Sequence, residues 1–152
     1  MGMDLVSINN NKEFRANVWS WRPIWRLVAT ECEEFLPEEA YESGSVNDGY
    51  EIDEKMALMI HNKLKSLNIP KIIKEYHYYL DSLPLEECNS CKGTGLSTYA
   101  MGKCSACNNK ISIESGVPVD KQRNFQYNYR MYQEHIEEFI DFCKTSKGFK
   151  IF

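Results

Sequence analysis

Apolar residues recur with helical spacing in the middle of this chain and alternate with polar ones at its C-terminal end, whereas the N-terminal stretch alternates poorly. Asp4-Leu-Val-Ser-Ile8 is compatible with a strand and runs into an asparagine-rich turn at Asn9–Asn11. From Trp21-Arg22-Pro23 the apolar positions are Ile24, Leu27, Val28, Cys32 and Phe35, with Glu31, Glu33 and Glu34 on other faces. Proline favours a first helical turn, so a helix opens near Pro23 and ends or kinks at Pro37. Ser43 to Gly49 is a loop, with Asn47-Asp48-Gly49 as its turn signal. Asp53 is a good N-cap for a second helix reaching Leu67, striped by Met56, Met59, Ile60 and Leu64. Beyond Pro70 a third helix, Lys71 to Leu83, turns Ile72, Ile73, Tyr76 and Leu80 inward. Lys110-Ile-Ser-Ile113 reads as a short strand. A last helix over about Asn128–Thr145 carries Met131, Ile136, Phe139, Ile140 and Cys143, and Gly148 stops it. Phe149-Lys-Ile-Phe152 alternates as a terminal strand able to pair with the first. The predicted fold is α+β: three or four helices, a small sheet joining the N- and C-terminal strands, and an inserted zinc-knuckle segment. Residues 1–152 form one domain, with the zinc-binding insertion at 84–113.

The cysteines set the chemistry of that insertion. Four of the six fall in one segment as Cys88-x2-Cys91-x12-Cys104-x2-Cys107. Each C-x2-C turn places two thiolates on one side of a tight loop, and two such loops facing each other make a tetrahedral S4 cage for zinc. Gly93 and Gly95 follow the first pair and supply the positive φ that a knuckle needs. Asn109 takes the corresponding place after the second, being the non-glycine type that best tolerates that region. One zinc per chain is expected. Four thiolates fill its coordination shell, so the ion is structural, since a catalytic zinc keeps an open position. The stretch from Leu83 to Ile111 has little apolar content and depends on the metal for its folding energy. Cys32 and Cys143 lie on helical stripes and read as small buried hydrophobes.

Composition narrows the partners. Hydrophobic residues at 43% and charged ones at 26% exclude wholesale disorder. Net charge −4 argues against general binding to a nucleic-acid backbone. No apolar run is long enough for a membrane span, and the first residues lack the core of a signal peptide, so a cytoplasmic location is expected. No metalloprotease, P-loop, dinucleotide-binding, serine-hydrolase or deaminase signature is present, so the reading leans away from an enzyme.

One segment other than the knuckles concentrates unusual side chains. Phe14 to Arg26 holds all three tryptophans, Trp19, Trp21 and Trp25, with Arg15, Arg22 and Arg26. Trp21 and Trp25 are i,i+4 neighbours, as are Arg22 and Arg26. Indole faces with guanidinium forks suit a planar, anionic, nucleotide-like ligand. Arg15, Asn17, Trp19, Trp21, Arg22 and Trp25, with Asn47 and Asp48 from the turn, are the candidate ligand-binding set. The competing reading is a packed aromatic core with arginines reaching out to water.

Several of these pieces together resemble a set of small, uncharacterised bacterial and phage proteins. The likeness rests on Gly2 to Asp4, on Asn17-Val-Trp19-x-Trp21-Arg22-Pro23-x-Trp25, and on the Asn47–Gly49 turn. It continues through Cys88, Cys91, Gly93, Gly95, Cys104 and Cys107 to the Gly148–Phe152 end. The knuckles alone also resemble the DnaJ cysteine-rich domain, although Asn108-Asn109 replaces the glycine-rich tail there. The resemblance implies a bacterial or phage-infected host and no established activity. Two binding functions follow from the residues, beside a third reading, an enzyme with an unrecognised acid/base pair using Asp48 or His61. The first is a zinc-stabilised protein binding a small anionic, nucleotide-derived ligand, in a phage setting a sequestered host signal. The second is a zinc-knuckle adaptor docking on a protein or nucleic acid.

Overall fold

A computed structural model of the chain describes residues 2–99 and 101–152. β1 (Gly2–Ser7) and β2 (Glu13–Asn17) form an antiparallel hairpin, followed by α1 (Val18–Glu31), α2 (Glu38–Ser43), β3 (Tyr50–Ile52), α3 (Glu54–Lys65) and α4 (Ile69–Ser82). Then come β4 (Glu86–Glu87), α5 (Lys110–Glu114), β5 (Lys121–Gln122), a 3₁₀ turn at Phe125–Asn128, α6 (Gln133–Thr145) and β6 (Phe149–Ile151). The chain divides into two compact units: Met1–His77 with Tyr129–Phe152, and Tyr78–Asn128. The second is wider than the expected 84–113 insertion, because β4 pairs with β5 and brings 121–122 into it.

In the first unit the sheet order is β2-β1-β6-β3, antiparallel throughout, so the two ends of the chain pair as Leu5↔Ile151. Alternation fixes the register: Met3, Leu5, Phe14, Ala16, Ile52, Phe149 and Ile151 all turn inward. α1 packs on β1 and β2, and α3 packs on α6. Between them lies a dense aromatic core, with Phe14, Trp21 and Phe149 each set edge-on to Phe139. The asparagine turn closes the other end. Asn9 and Asn10 donate to the carbonyls of Lys147 and Thr145, satisfying groups that α6 leaves unpaired at its C-terminus. Gly148 sits at φ +96, and a Cβ there would meet backbone atoms of Ile52 and Glu54 at 3.0–3.1 Å.

Several expected boundaries move. α1 starts at Val18, well before Pro23, because Asn17 Oδ1 accepts the amide of Ser20 and caps it there. Pro23 lies buried inside the helix, where it removes one intrahelical hydrogen bond. The last helix begins at Gln133 instead of Asn128. Tyr129 is held by Tyr76 Oη on its carbonyl and by Arg22 on its hydroxyl, and Tyr132 remains extended. Lys110–Ile113 is helical, contrary to the strand expected. Asn109 is in the extended region with its side chain accepting from Ser112 N at 2.7 Å, so it caps α5 instead of taking a left-handed turn. No helix among the described residues is long and apolar enough to cross a membrane.

Candidate metal centre

The second unit is organised around its cysteines. Cys88 follows β4, and its amide donates to Asp120 O beside β5. The chain then turns through Cys91 with Lys92, Gly93 and Gly95 all at positive φ, as the first knuckle requires. A hairpin leads to the second pair: Leu96 bridges Lys103, Ser97 N donates to Gly102 O, and Cys104 N returns to Gly95 O at 2.9 Å. Two loops 16 residues apart are thereby brought face to face, with Cys88 opposite Cys104 and Cys91 opposite Cys107.

All four Sγ atoms lie within 4.8 Å of one another and all four residues are buried. The two facing pairs are separated by 3.9 and 3.8 Å. A tetrahedral centre with metal–sulfur bonds of about 2.3 Å has sulfur–sulfur edges of about 3.8 Å, whereas a disulfide would bring the atoms to about 2.05 Å. The cluster therefore has the size and composition of a tetrathiolate metal site. Four sulfurs are the soft donor set that suits zinc, and they complete its shell.

The electrostatics are those of a ligand set. Burial works to raise the Cys91 thiol, but hydrogen bonds from the Gly95 amide and from neighbouring groups outweigh it and bring it down to about 7. The Gly95 N–H lies 3.2 Å from that sulfur. Cys107 goes the other way, pushed up to about 12 by burial and by the sulfurs around it. Metal ligation takes thiolates, so a divalent ion would displace thiol protons as it binds.

No family model, curated protein or solved structure matches this chain. Its chemistry is read from its own side chains.

The tryptophan–arginine segment is split by the fold. Trp21 and Trp25 stack on each other at 5.3 Å inside the core, 0% and 1% exposed. Their indole N–H groups donate to Gly44 O and Tyr41 O at the end of α2. The ligand platform expected of these two rings is therefore not formed: both faces and both donors are consumed in joining α1 to α2. Trp19 and Arg22 remain at the surface with Tyr129. The indole lies 5.0 Å from the Tyr129 ring, and the guanidinium lies 5.5 Å over it and donates to its hydroxyl.

The other expected ligand residues are elsewhere and have structural partners. Arg15 grips Asp4 across the β1–β2 ladder at 2.7 and 3.1 Å, and that contact holds the Asp4 carboxyl below its ordinary value. Asn17 is the α1 cap, Asn47 Nδ2 donates to Gly2 O, and Asp48 Oδ1 accepts from Tyr50 N within its own turn. Arg15, Asn17 and Asn47 thus gather around the start of β1. Cys32 and Cys143 lie in the core. Burial pushes Cys32 up to about 12 and raises Cys143 well above a free thiol, so neither is a ready nucleophile. His61 is buried too, its Nδ1 2.8 Å from Ile140 O, joining α3 to α6.

Sequence reasoning overlooked the surface of the cysteine module. Leu96, Tyr99, Met101, Ile111 and Ile113 are all at least 60% exposed. The signal was present: Ile111 and Ile113 flank Ser112 close to a buried cluster made of thiols.

Proposed function

We propose that this chain is a non-enzymatic binding protein in which one structural zinc holds a module that docks a macromolecular partner. The observation carrying this reading is a mismatch between core and surface. The buried cluster of the module consists of Cys88, Cys91, Cys104 and Cys107. Its large apolar side chains Leu96, Tyr99, Met101, Ile111 and Ile113 point to water, and α5 buries no residue at all. Large apolar side chains left in water in a module with so little apolar core are candidates for an interaction surface. A full thiolate shell gives the metal no coordination position for a substrate.

The test compares two multiple variants of the full chain, each first shown to retain one zinc. Met101→Ser with Ile111→Ser and Ile113→Ser alters the module. Val6→Ser with Leu58→Ser alters exposed apolar positions of the other unit. Loss of captured partners in the first variant and their retention in the second supports the reading; identical capture by both removes it.

A second reading, a site for a small nucleotide-derived anion such as a host immune signal taken up by a phage protein, draws on the Arg22–Tyr129–Trp19 stack alone. Titration of linear and cyclic nucleotides, followed by Trp19 fluorescence and by calorimetry, tests it. Absence of heat and of quenching with a zinc-loaded sample would end it.

A further inference from the structure

We propose that the groove beside the knuckles binds a nucleoside phosphate, with the base stacked on Tyr99 and the phosphate outside, near Lys92. This deepens the docking reading above and rests on it, naming the chemistry of the moiety that enters the module. The groove has a volume of about 510 Å³, within the range of small-ligand sites. Its walls include Asn89, Ser90, Lys92, Thr98, Tyr99 and Ser105, and none of its lining residues is a carboxylate. Three features favour a planar, hydrogen-bonding, phosphorylated ligand over an apolar one.

First, Tyr99 is 100% exposed, an aromatic ring with its whole surface in water on a metal-braced hairpin. Such a ring is a stacking platform that takes any base, since every base has a π-face. Second, the polar wall supplies hydroxyls and a side-chain amide, groups that both donate and accept and so match base edges and sugar hydroxyls. Third, Lys92 sits at φ +53, where glycine or asparagine is cheaper, so the first knuckle puts an ammonium at the groove at a conformational cost.

Charge decides the orientation. Cys104 also lines the groove, and a tetrathiolate zinc centre carries a net negative charge that repels phosphate. The base therefore goes in and the phosphate stays out. This mode is compatible with the chain's net charge of −4, because it relies on one or two phosphate contacts and not on a basic track.

The zinc-loaded full chain is titrated with free AMP and GMP, with single-stranded RNA and DNA octamers, and with a duplex of the same sequence. Binding to single strands or nucleotides with no binding to duplex is expected. Equal affinity for mononucleotides and octamers identifies a free nucleotide as the ligand; tighter binding of octamers identifies an unpaired nucleotide in a strand. Tyr99→Ala should weaken binding roughly 5- to 150-fold, the range for loss of one stacked base, while Tyr99→Phe stays within about twofold because the ring is kept. The slope of log K against log salt should be shallow, about −0.7 to −1.4 for one or two phosphates. Lack of binding to every nucleotide and strand at millimolar concentration overturns the proposal, as does binding that Tyr99→Ala leaves unchanged. Such a result with partner capture still lost in the Met101/Ile111/Ile113 variant rejects the nucleotide and leaves the docking reading standing; if capture is also unaffected, both fall.

Discussion

Removal of the metal should unfold one unit of this protein and leave the other folded. Within the described part of Tyr78–Asn128 the buried apolar side chains besides the four thiols are Leu80 and Val117. Burying each contributes roughly 1.5–3 kcal/mol, about 3–6 kcal/mol together. A structural zinc contributes roughly 10–16 kcal/mol of apparent folding energy in small zinc peptides. A zinc ion held by the four sulfurs would therefore outweigh the apolar burial by roughly twofold or more. The sheet of this unit cannot replace it, since β4 and β5 pair over two residues each. The first unit has no such dependence: its core runs from Met3 to Ile151 through four fully or nearly fully buried large aromatics, Trp21, Trp25, Phe139 and Phe149.

Hydrogen exchange read by mass spectrometry separates the two, with the full chain compared before and after chelation under reducing conditions. Amides in Cys88–Cys107 should lose at least about a thousandfold of protection, equivalent to about 4 kcal/mol, while β1, α1, α3 and α6 keep theirs. Zinc re-addition should restore the pattern, and metal analysis should give one ion per chain. Retained protection around the cysteines without metal would refute the reasoning, and so would loss of protection throughout the chain.

Other expectations follow from particular contacts. Gly44→Ala should destabilise by about 1–3 kcal/mol, the usual cost of overpacking, because its Cβ would lie 2.1 Å from Cε2 of the sealed Trp25 ring; an unchanged urea midpoint would contradict that geometry. Asn17→Ala should cost about 1 kcal/mol while Asn17→Asp stays near neutral, as for an N-cap; equal losses in urea unfolding would exclude the capping role. Burial raises the thiols of Cys32 and Cys143 above their unfolded value of 9.0, Cys32 to about 12, so their contribution is intact below pH 9 and is lost as pH rises from 9 towards 12. The alkaline fall in stability should therefore be shallower in a Cys32→Ala, Cys143→Ala double variant, and parallel pH profiles would argue against it. Acid would act on the other unit: a metal at the four sulfurs keeps them as thiolates well below the free-thiol range, so its contribution would persist at neutral pH and be lost as further acidification reprotonates them. Zinc release followed with a colorimetric chelator should rise steeply on acidification, with the first unit's far-UV signal preserved.

The sequence was most readable where one local signal dominated. The C-x2-C spacing and the flanking glycines locate the four sulfurs because a knuckle is a short-range object. The terminal alternation at Phe149–Ile151 likewise predicts its pairing with β1. Competing long-range partners explain the failures. Trp21 and Trp25 carry the same residue types a stacking pocket would use; what makes them core is a pair of carbonyls at Tyr41 and Gly44, some 16 and 23 residues away. Gly44 itself looks like an ordinary loop glycine, and its φ of −67 demands nothing special. It is required because an indole occupies the space of its side chain. Lys110-Ile-Ser-Ile113 has the alternation of a strand, yet one capping bond from Asn109 makes it helical.

These two kinds of stabilisation bear directly on function. In the first unit the large apolar side chains are needed for the fold: Trp21, Trp25, Phe139 and Phe149 hold the sheet to its helices and have no face left for a ligand. In the second, a metal at a tetrathiolate cluster would supply the folding energy from one point, and Tyr99, Met101, Ile111 and Ile113 are released from that duty. On the docking reading, a partner covering these side chains would remove the solubility cost of leaving them in water. On the reading proposed above, a zinc ion at this cluster would have its shell closed by four thiolates, and its effect would be to hold in one shape a surface that the polypeptide alone would not.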